Sequence, residues 1–190
     1  MKINDVSGQK NDLRRHMKAL RDGLSDDFRR KAAGKIAGFA DMLPITPDDC
    51  VAVYFPVRSE CDVMPLAARL RQKGCRLALP VVEKKGAPLV FRRFDAVTRF
   101  KKGLFGIDEP DETAVAETPA VFLTPLLAFD RKGGRLGYGA GCYDRTFPLF
   151  PSALLIGVAF SKQEIPDVPV EKKDVLLDYV LTENELIKVG

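Results

Sequence analysis

Apolar residues recur at helical spacing near the start of the chain. Leu13, Met17, Leu20 and Leu24 fall on one face of the segment 9–24, which predicts an amphipathic helix. Lys10, Arg14 and Lys18 form a second stripe at i, i+4 and i+8, beside the apolar seam rather than opposite it. That placement suits cations at the rim of a cleft or an ordinary solvated helix face. Ser25 predicts the cap of a second helix, with Asp26 and Asp27 in its positive first turn. Phe28, Ala32, Ile36 and Phe39 supply the apolar face of that helix, and Pro44 ends it.

The pattern then shifts to continuous apolar runs. "CVAVYF" (50–55) is β-branched and aromatic and predicts a buried strand, followed by the polar loop "PVRSECD". "VMPLAARLRQKG" (63–74) predicts a helix, with Asp62 as cap, Pro65 in the first turn and Gly74 at the C-terminal end. "CRLALPVV" (75–82) and "PLVFRRF" (88–94) predict a strand pair across a Lys-Lys-Gly turn. "FKKGLFGIDEP" (100–110) is punctuated by glycine and reads as loop. "AVFLTPLLAF" (120–129) predicts a strand broken at Pro125. "YDRTFPLF" (143–150) begins as a helix, "ALLIGVAF" (153–160) is a central strand, and "DYVLTE" (178–183) is the last strand. Such alternation predicts an α/β fold: one domain over 1–190, with a mainly parallel sheet and helices on both faces. Ligands of such sheets bind outside the carboxyl ends of the strands. The loops after 50–55 and 120–130 lie there.

Composition narrows the chemistry. A hydrophobic share of 46% fits a packed core and not a disordered chain. The net charge of +4 suits an anionic small molecule or nucleic acid and selects neither. Cys50, Cys61, Cys75 and Cys142 form no CxxC pair, and His16 is the single histidine, which argues against a Cys/His zinc site and against a histidine-based triad. No window reaches membrane-spanning length, and the cysteines read as reduced, so a cytoplasmic location is expected. Basic residues are interleaved with acids and no aromatic–basic motif appears, which argues against nucleic acid as a partner.

The densest signal is "RKGGRLGYGAGCYDRTF" (131–147). Five of the chain's 15 glycines lie within 133–141. Glycine lets a backbone approach a ligand closely, and successive N–H groups can form an anion-binding concavity. The run is neither a Walker A loop nor G-x-G-x-x-G. Gly133-Gly134 reads as a surface turn, whereas Arg135 to Arg145 reads as a ligand loop. Asp144 suits Mg²⁺ or the start of a helix, and Arg145 suits a phosphate or Asp144.

"GRLGYGAGCYDR" resembles the signature of the 5-formyltetrahydrofolate cyclo-ligases, also called methenyltetrahydrofolate synthetases. "KNDLRR", "VYFPVRSECDV", "GLFGIDEP" and "IPDVPVEKKDVLLDYVLTE" resemble further segments of that family, in order and over nearly the whole chain. The resemblance implies a three-layer α/β domain, acting as a monomer. It implies conversion of 5-formyltetrahydrofolate and ATP to 5,10-methenyltetrahydrofolate, ADP and phosphate, with Mg²⁺. It implies ATP contacts from Lys10, Arg14, Arg135, Leu136, Gly137, Tyr138, Gly139, Ala140, Gly141, Cys142 and Tyr143. Phe55 and Glu60 would contact the folate, together with Tyr138, Gly139, Ala140, Gly141 and Cys142. Glu60, Tyr143 and Arg145 would be catalytic, and Asp144 and Asp174 would hold Mg²⁺. A nucleotide- or folate-binding protein without catalysis, on the same scaffold, is the alternative. The chain departs from the family pattern at Ala140, where glycine is usual, at Cys142, where an aromatic is common, and at Lys173, where histidine is common. A lysine there would compete with Mg²⁺ for Asp174.

Overall fold

A computed structural model describes residues 6–190. The first helix, α1 (Val6–Asp22), starts earlier than its apolar spacing suggests and buries Met17. Leu13 and Leu20 pack beside Met17 on Leu127, Leu136 and Val168. Ser25 caps α2 (Asp26–Gly38) by accepting the Phe28 N–H at 3.2 Å, and a single 3₁₀ turn (Phe39–Asp41) ends it before Pro44 is reached. After β1 (Cys50–Ala52) comes α3 (Met64–Gln72). Its cap position is Val63, one residue later than expected, while Asp62 still accepts the Met64 N–H at 2.9 Å. Gly74 leaves the helix with φ +99, a left-handed angle that favours glycine.

The remaining strands are β2 (Arg76–Val81), β3 (Val90–Arg93), β4 (Phe100–Lys102), β5 (Asp108–Pro110), β6 (Val121–Pro125), β7 (Ala128–Phe129) and β8 (Arg135–Leu136). A short helix, α4 (Cys142–Thr146), precedes β9 (Leu154–Val158), β10 (Tyr179–Leu181) and β11 (Leu186–Lys188). Seven strands form one sheet in the order β11-β10-β9-β6-β1-β2-β3. β10, β9, β6, β1 and β2 run parallel, and the edge strands β3 and β11 are antiparallel. The predicted strand pair is therefore β2 and β3. Two expectations fail. The glycine-punctuated 100–110 segment is a hairpin, β4 with β5, and the strand at 178–183 is followed by one more, β11.

Pleating sends alternate residues of β1 to opposite sides. Val51 and Val53 join Leu77, Leu79, Leu123 and Ile156 beneath α2 and α3. Cys50 and Ala52 join Ala78, Phe91 and Phe122 on the other face. That second face carries less helix than the first. α4 and the Phe147–Leu149 3₁₀ turn cover it, and a layer of rings completes the cover. Phe122 lies 5.2 Å from Phe91, 5.4 Å from Phe147 and 5.1 Å from Phe150, centroid to centroid. Ala52 and Ala78 are small enough to leave these rings room.

The strand order also places the site. From β1 the chain crosses through α3 to β2 on one side, and it later returns to β6 on the other. The carboxyl ends of β1 and β6 thus flank a topological switch point, where open sheets leave a crevice. The β7–β8 turn is fixed by Asp130, whose Oδ1 accepts the Lys132 and Gly134 N–H groups at 2.9 Å and whose Oδ2 accepts that of Val168 at 2.8 Å. Gly133 and Gly134 are buried in this turn rather than forming a loose surface loop. A Cβ on Gly133 would come within 2.7 Å of the Leu177 carbonyl oxygen. No helix among the described residues is long and apolar enough to cross a membrane.

Candidate active site

A cavity of about 640 Å³ opens at the switch point. Every residue singled out from the sequence as a ligand contact lines it: Lys10, Arg14, Phe55, Glu60, Arg135 through Arg145, and Asp174. Lys18 does not, so the basic stripe of α1 divides after Arg14.

The loop after β1 delivers Glu60. Arg58 takes a left-handed φ of +56, which folds the chain back at this point. The Glu60 N–H donates to the Val57 carbonyl at 3.2 Å, and the Val57 N–H donates to the Glu60 carboxylate at 2.9 Å. Burial pushes the Glu60 carboxyl above its ordinary range, while the Val57 N–H, the Arg21 charge and the Tyr138 phenol pull in the other direction. Phe55 packs with Phe94 at 5.5 Å and Phe100 at 5.6 Å, so the β4–β5 hairpin meets this loop through aromatic contact.

The glycine-rich segment supplies the opposite wall. Arg14 reaches it from α1, with Nε donating to the Gly137 carbonyl at 3.0 Å. Gly139 and Gly141 have φ of +99 and +64, and Gly141 precedes α4. Ala140 has no left-handed φ, so a Cβ is tolerated where glycine was expected. Arg145 folds back to donate to the Ala140 carbonyl at 2.7 Å, and its Nε is buried with no hydrogen-bond partner. The buried Arg135 side chain donates to Asp144 and to the Val175 carbonyl, and stacks over Phe147 at 4.6 Å. Burial lowers its pKa, and Asp144 and Asp174 oppose that shift.

Lys10 is buried and not at a solvated rim. Its ammonium pairs with Asp174 and, at 3.2 Å, with Glu171. Lys173 pairs with Glu171 at 3.6 Å. The lysine that competes for Asp174 is therefore Lys10 and not Lys173.

Two groups escaped the sequence reading. Glu109, in the hairpin, is buried, lines the cavity and accepts the Val82 N–H at 3.2 Å. A Cβ on Gly103 would lie 2.1 Å from the Glu109 carboxyl carbon, so this close packing requires the glycine. Arg21 is the second. It lies two helical turns beyond Arg14 and three beyond Lys10, a spacing that marks the same face.

A sequence model of the 5-formyltetrahydrofolate cyclo-ligase family matches residues 6–183. The chain belongs to that family. It is 34% identical over 182 residues to the 5-formyltetrahydrofolate cyclo-ligase of Mycolicibacterium smegmatis, which covers 91% of this chain and 93% of that one. The solved 5,10-methenyltetrahydrofolate synthetase of Aquifex aeolicus matches at a TM-score of 0.81 and 30% identity, covering 95% of this chain and 92% of its own. The synthetase of Mycoplasma pneumoniae matches at 0.72 and 25% identity, with 92% and 98% covered. The α/β fold with a mostly parallel sheet is thus the cyclo-ligase fold.

Cyclo-ligase chemistry, a phosphoryl transfer that relies on positioning and charge, needs no thiolate. Burial pushes the Cys50 thiol up to about 12 and also raises Cys61 and Cys75. Only Cys142 reaches the cavity. Cys142→Ser should therefore keep turnover within a few-fold of wild type. A folded but inactive Cys142→Ser protein would contradict the mechanism.

Proposed function

We propose that this chain converts 5-formyltetrahydrofolate and ATP to 5,10-methenyltetrahydrofolate, ADP and phosphate. One observation carries the reading: a single cavity joins two chemically different sets of side chains through the glycine-rich segment. Lys10, Arg14, Arg135 and Arg145 stand with exposed glycine backbone, which suits a triphosphate. Glu60, Tyr138 and Phe55 combine an acceptor, a phenol and a ring, which suits a flat heterocycle rich in N–H donors.

The reaction needs little from the protein beyond position and charge. The formyl oxygen attacks the γ-phosphorus as the bond to ADP breaks. The N10 lone pair then closes on the activated formyl carbon. The C–O bond breaks, phosphate departs and the N10 proton is lost. The cations neutralise charge on the transferring group, and the cavity holds N10 near the formyl carbon. The unpartnered Arg145 Nε is a donor suited to a phosphate oxygen. Tyr143, half-buried beside Cys142, closes the same wall.

Among the described residues no group of three ligating side chains could hold a metal by itself. Magnesium is commonly held by one or two carboxylates plus substrate phosphates, and Asp144 and Asp174, both interacting with Arg135, fit that pattern. Bound there with ATP, the ion would offset phosphate charge. Each carboxylate is first paired within the chain, Asp144 with Arg135 and Asp174 with Lys10. Four free cysteines suit the reducing cytoplasm. A cavity lined from one chain suits a monomer built as one domain.

The test is the near-ultraviolet band of the methenyl product, absent from the substrate. Its appearance with ATP, and only with ATP, is the expected result. Binding of both ligands without the band would make the protein a binder and not a ligase. Glu60→Gln keeps the side chain's size and removes its charge. We expect a folate KM raised about ten-fold or more, with that for ATP nearly unchanged. The reverse pattern would put the two ligands on the wrong walls.

A further inference from the structure

Arg21 heads the fully buried large side chains, at 1% exposure. The hydrogen bonds it makes are all to neutral groups. Nε donates to the Ser59 hydroxyl at 3.1 Å, one terminal nitrogen to the Leu126 carbonyl at 3.5 Å and the other to the Tyr138 phenol. Its guanidinium also sits 5.3 Å from the Tyr138 ring centroid. Ser59 is anchored in turn by donating to Asp22.

A buried guanidinium is costly, and the carboxylates whose charge offsets it, Asp22 and Glu60, are not hydrogen-bonded to it. Its hydrogen-bond partners come from three places: the loop after β1, the backbone just after β6, and the glycine-rich segment. Arg21 thus ties together both lips of the switch-point crevice. Tyr138 is 46% exposed as a whole residue, while its hydroxyl accepts from Arg21. A phenol that accepts from a cation is left with its own hydrogen to give. Glu60 lines the same cavity and is the neighbouring carboxylate whose charge Tyr138 feels.

We propose that Arg21 is a positioning residue for substrate. It orients the Tyr138 phenol as a donor to Glu60 and so fixes the carboxylate that receives the substrate's N–H groups. The inference rests on the assignment of Glu60 to the folate. It adds a chain of command, Arg21 to Tyr138 to Glu60, in which Arg21, which does not line the cavity, acts on the heterocycle only through the other two. Tyr54, Cys61 and Tyr143 also lie near Glu60, and the Arg21 charge reaches Tyr54 and Cys61. The Tyr54 hydroxyl, however, donates to the Cys61 carbonyl, and of these three and Tyr138 only Tyr138 is hydrogen-bonded to Arg21.

A double-mutant cycle on Arg21→Lys and Tyr138→Phe tests this. The readouts are equilibrium Kd values for 5-formyltetrahydrofolate and for a non-hydrolysable ATP analogue. Each single variant should weaken folate binding about ten-fold, the scale of one charge-assisted hydrogen bond. ATP-analogue affinity should stay within about two-fold. The double variant should bind folate no worse than the weaker single one, because both act on one link. Parallel loss of both ligands would make Arg21 a structural prop and overturn the proposal. Multiplying losses in the double variant would overturn it too. Tyr138→Phe changes a half-exposed ring and folds even if Arg21→Lys does not. Unchanged folate affinity in that variant alone is refutation enough. Because binding is measured, a wild-type protein that binds folate without turnover would remove the ligase assignment and leave this test intact.

Discussion

Gly139→Val and Gly141→Val each reduce turnover by at least about a hundred-fold, roughly 2.7 kcal/mol of transition-state stabilisation, with circular dichroism close to that of wild type. Both glycines hold left-handed φ angles, +99 and +64. A β-branched residue resists that region, at a cost of roughly 1–3 kcal/mol. The added atoms also point at working cations. A Cβ at 139 would lie 3.3 Å from the Arg14 guanidinium carbon, and one at 141 would lie 2.8 Å from an Arg145 nitrogen. Relief at either position moves an arginine away from its place in the cavity. The core is untouched, because residues 139–141 are exposed or half-exposed. Turnover surviving in both variants would mean that this backbone is no cradle.

Lys10→Ala weakens binding of a non-hydrolysable ATP analogue by about ten- to a hundred-fold, the range expected for one charged hydrogen bond at roughly 1.5–3 kcal/mol. It also changes the acid behaviour of the protein. Burial alone pushes the Asp174 carboxyl up, but the bond from Lys10, the Glu171 N–H and the charges of Lys10 and Arg135 outweigh it. The net value lies below the ordinary 3.8. A depressed carboxyl contributes stability that is present above its unfolded-state value and is lost as pH falls through the folded one. Without Lys10, burial is opposed only by Arg135 and the Glu171 N–H, so the carboxyl moves upward and that contribution shrinks. An NMR titration of the Asp174 side chain reads this directly. Unchanged nucleotide affinity together with an unmoved Asp174 titration would show that Lys10 matters to neither.

The alternation of apolar runs made the layered α/β fold legible, and the glycine cluster marked the cavity wall. Strand order was not legible, because hydrophobic pattern records which residues are buried and not which strand lies next. The β4–β5 hairpin hid behind Gly103 and Gly106. Glycine usually breaks strands, yet here Gly103 is small because Glu109 packs on it. Phe100–Lys102 is exposed throughout and offers no alternation to detect. Arg21 carries no local mark of its burial. Its burial depends on Ser59 and Tyr138, 38 and 117 positions away, which local pattern does not encode. Ion pairing within the chain was equally invisible. The family resemblance implied that Lys10 and Asp174 are ligands, and nothing in their local sequence said that they hold each other.

That pairing has a consequence for how the protein is made. Lys10 and Asp174 are 164 positions apart. A chain emerging from the ribosome carries Lys10 long before Glu171 and Asp174 exist, so this pairing cannot form until residue 174 has been made. A nascent chain that stops short of residue 171 therefore holds Lys10 without the two carboxylates that neutralise it.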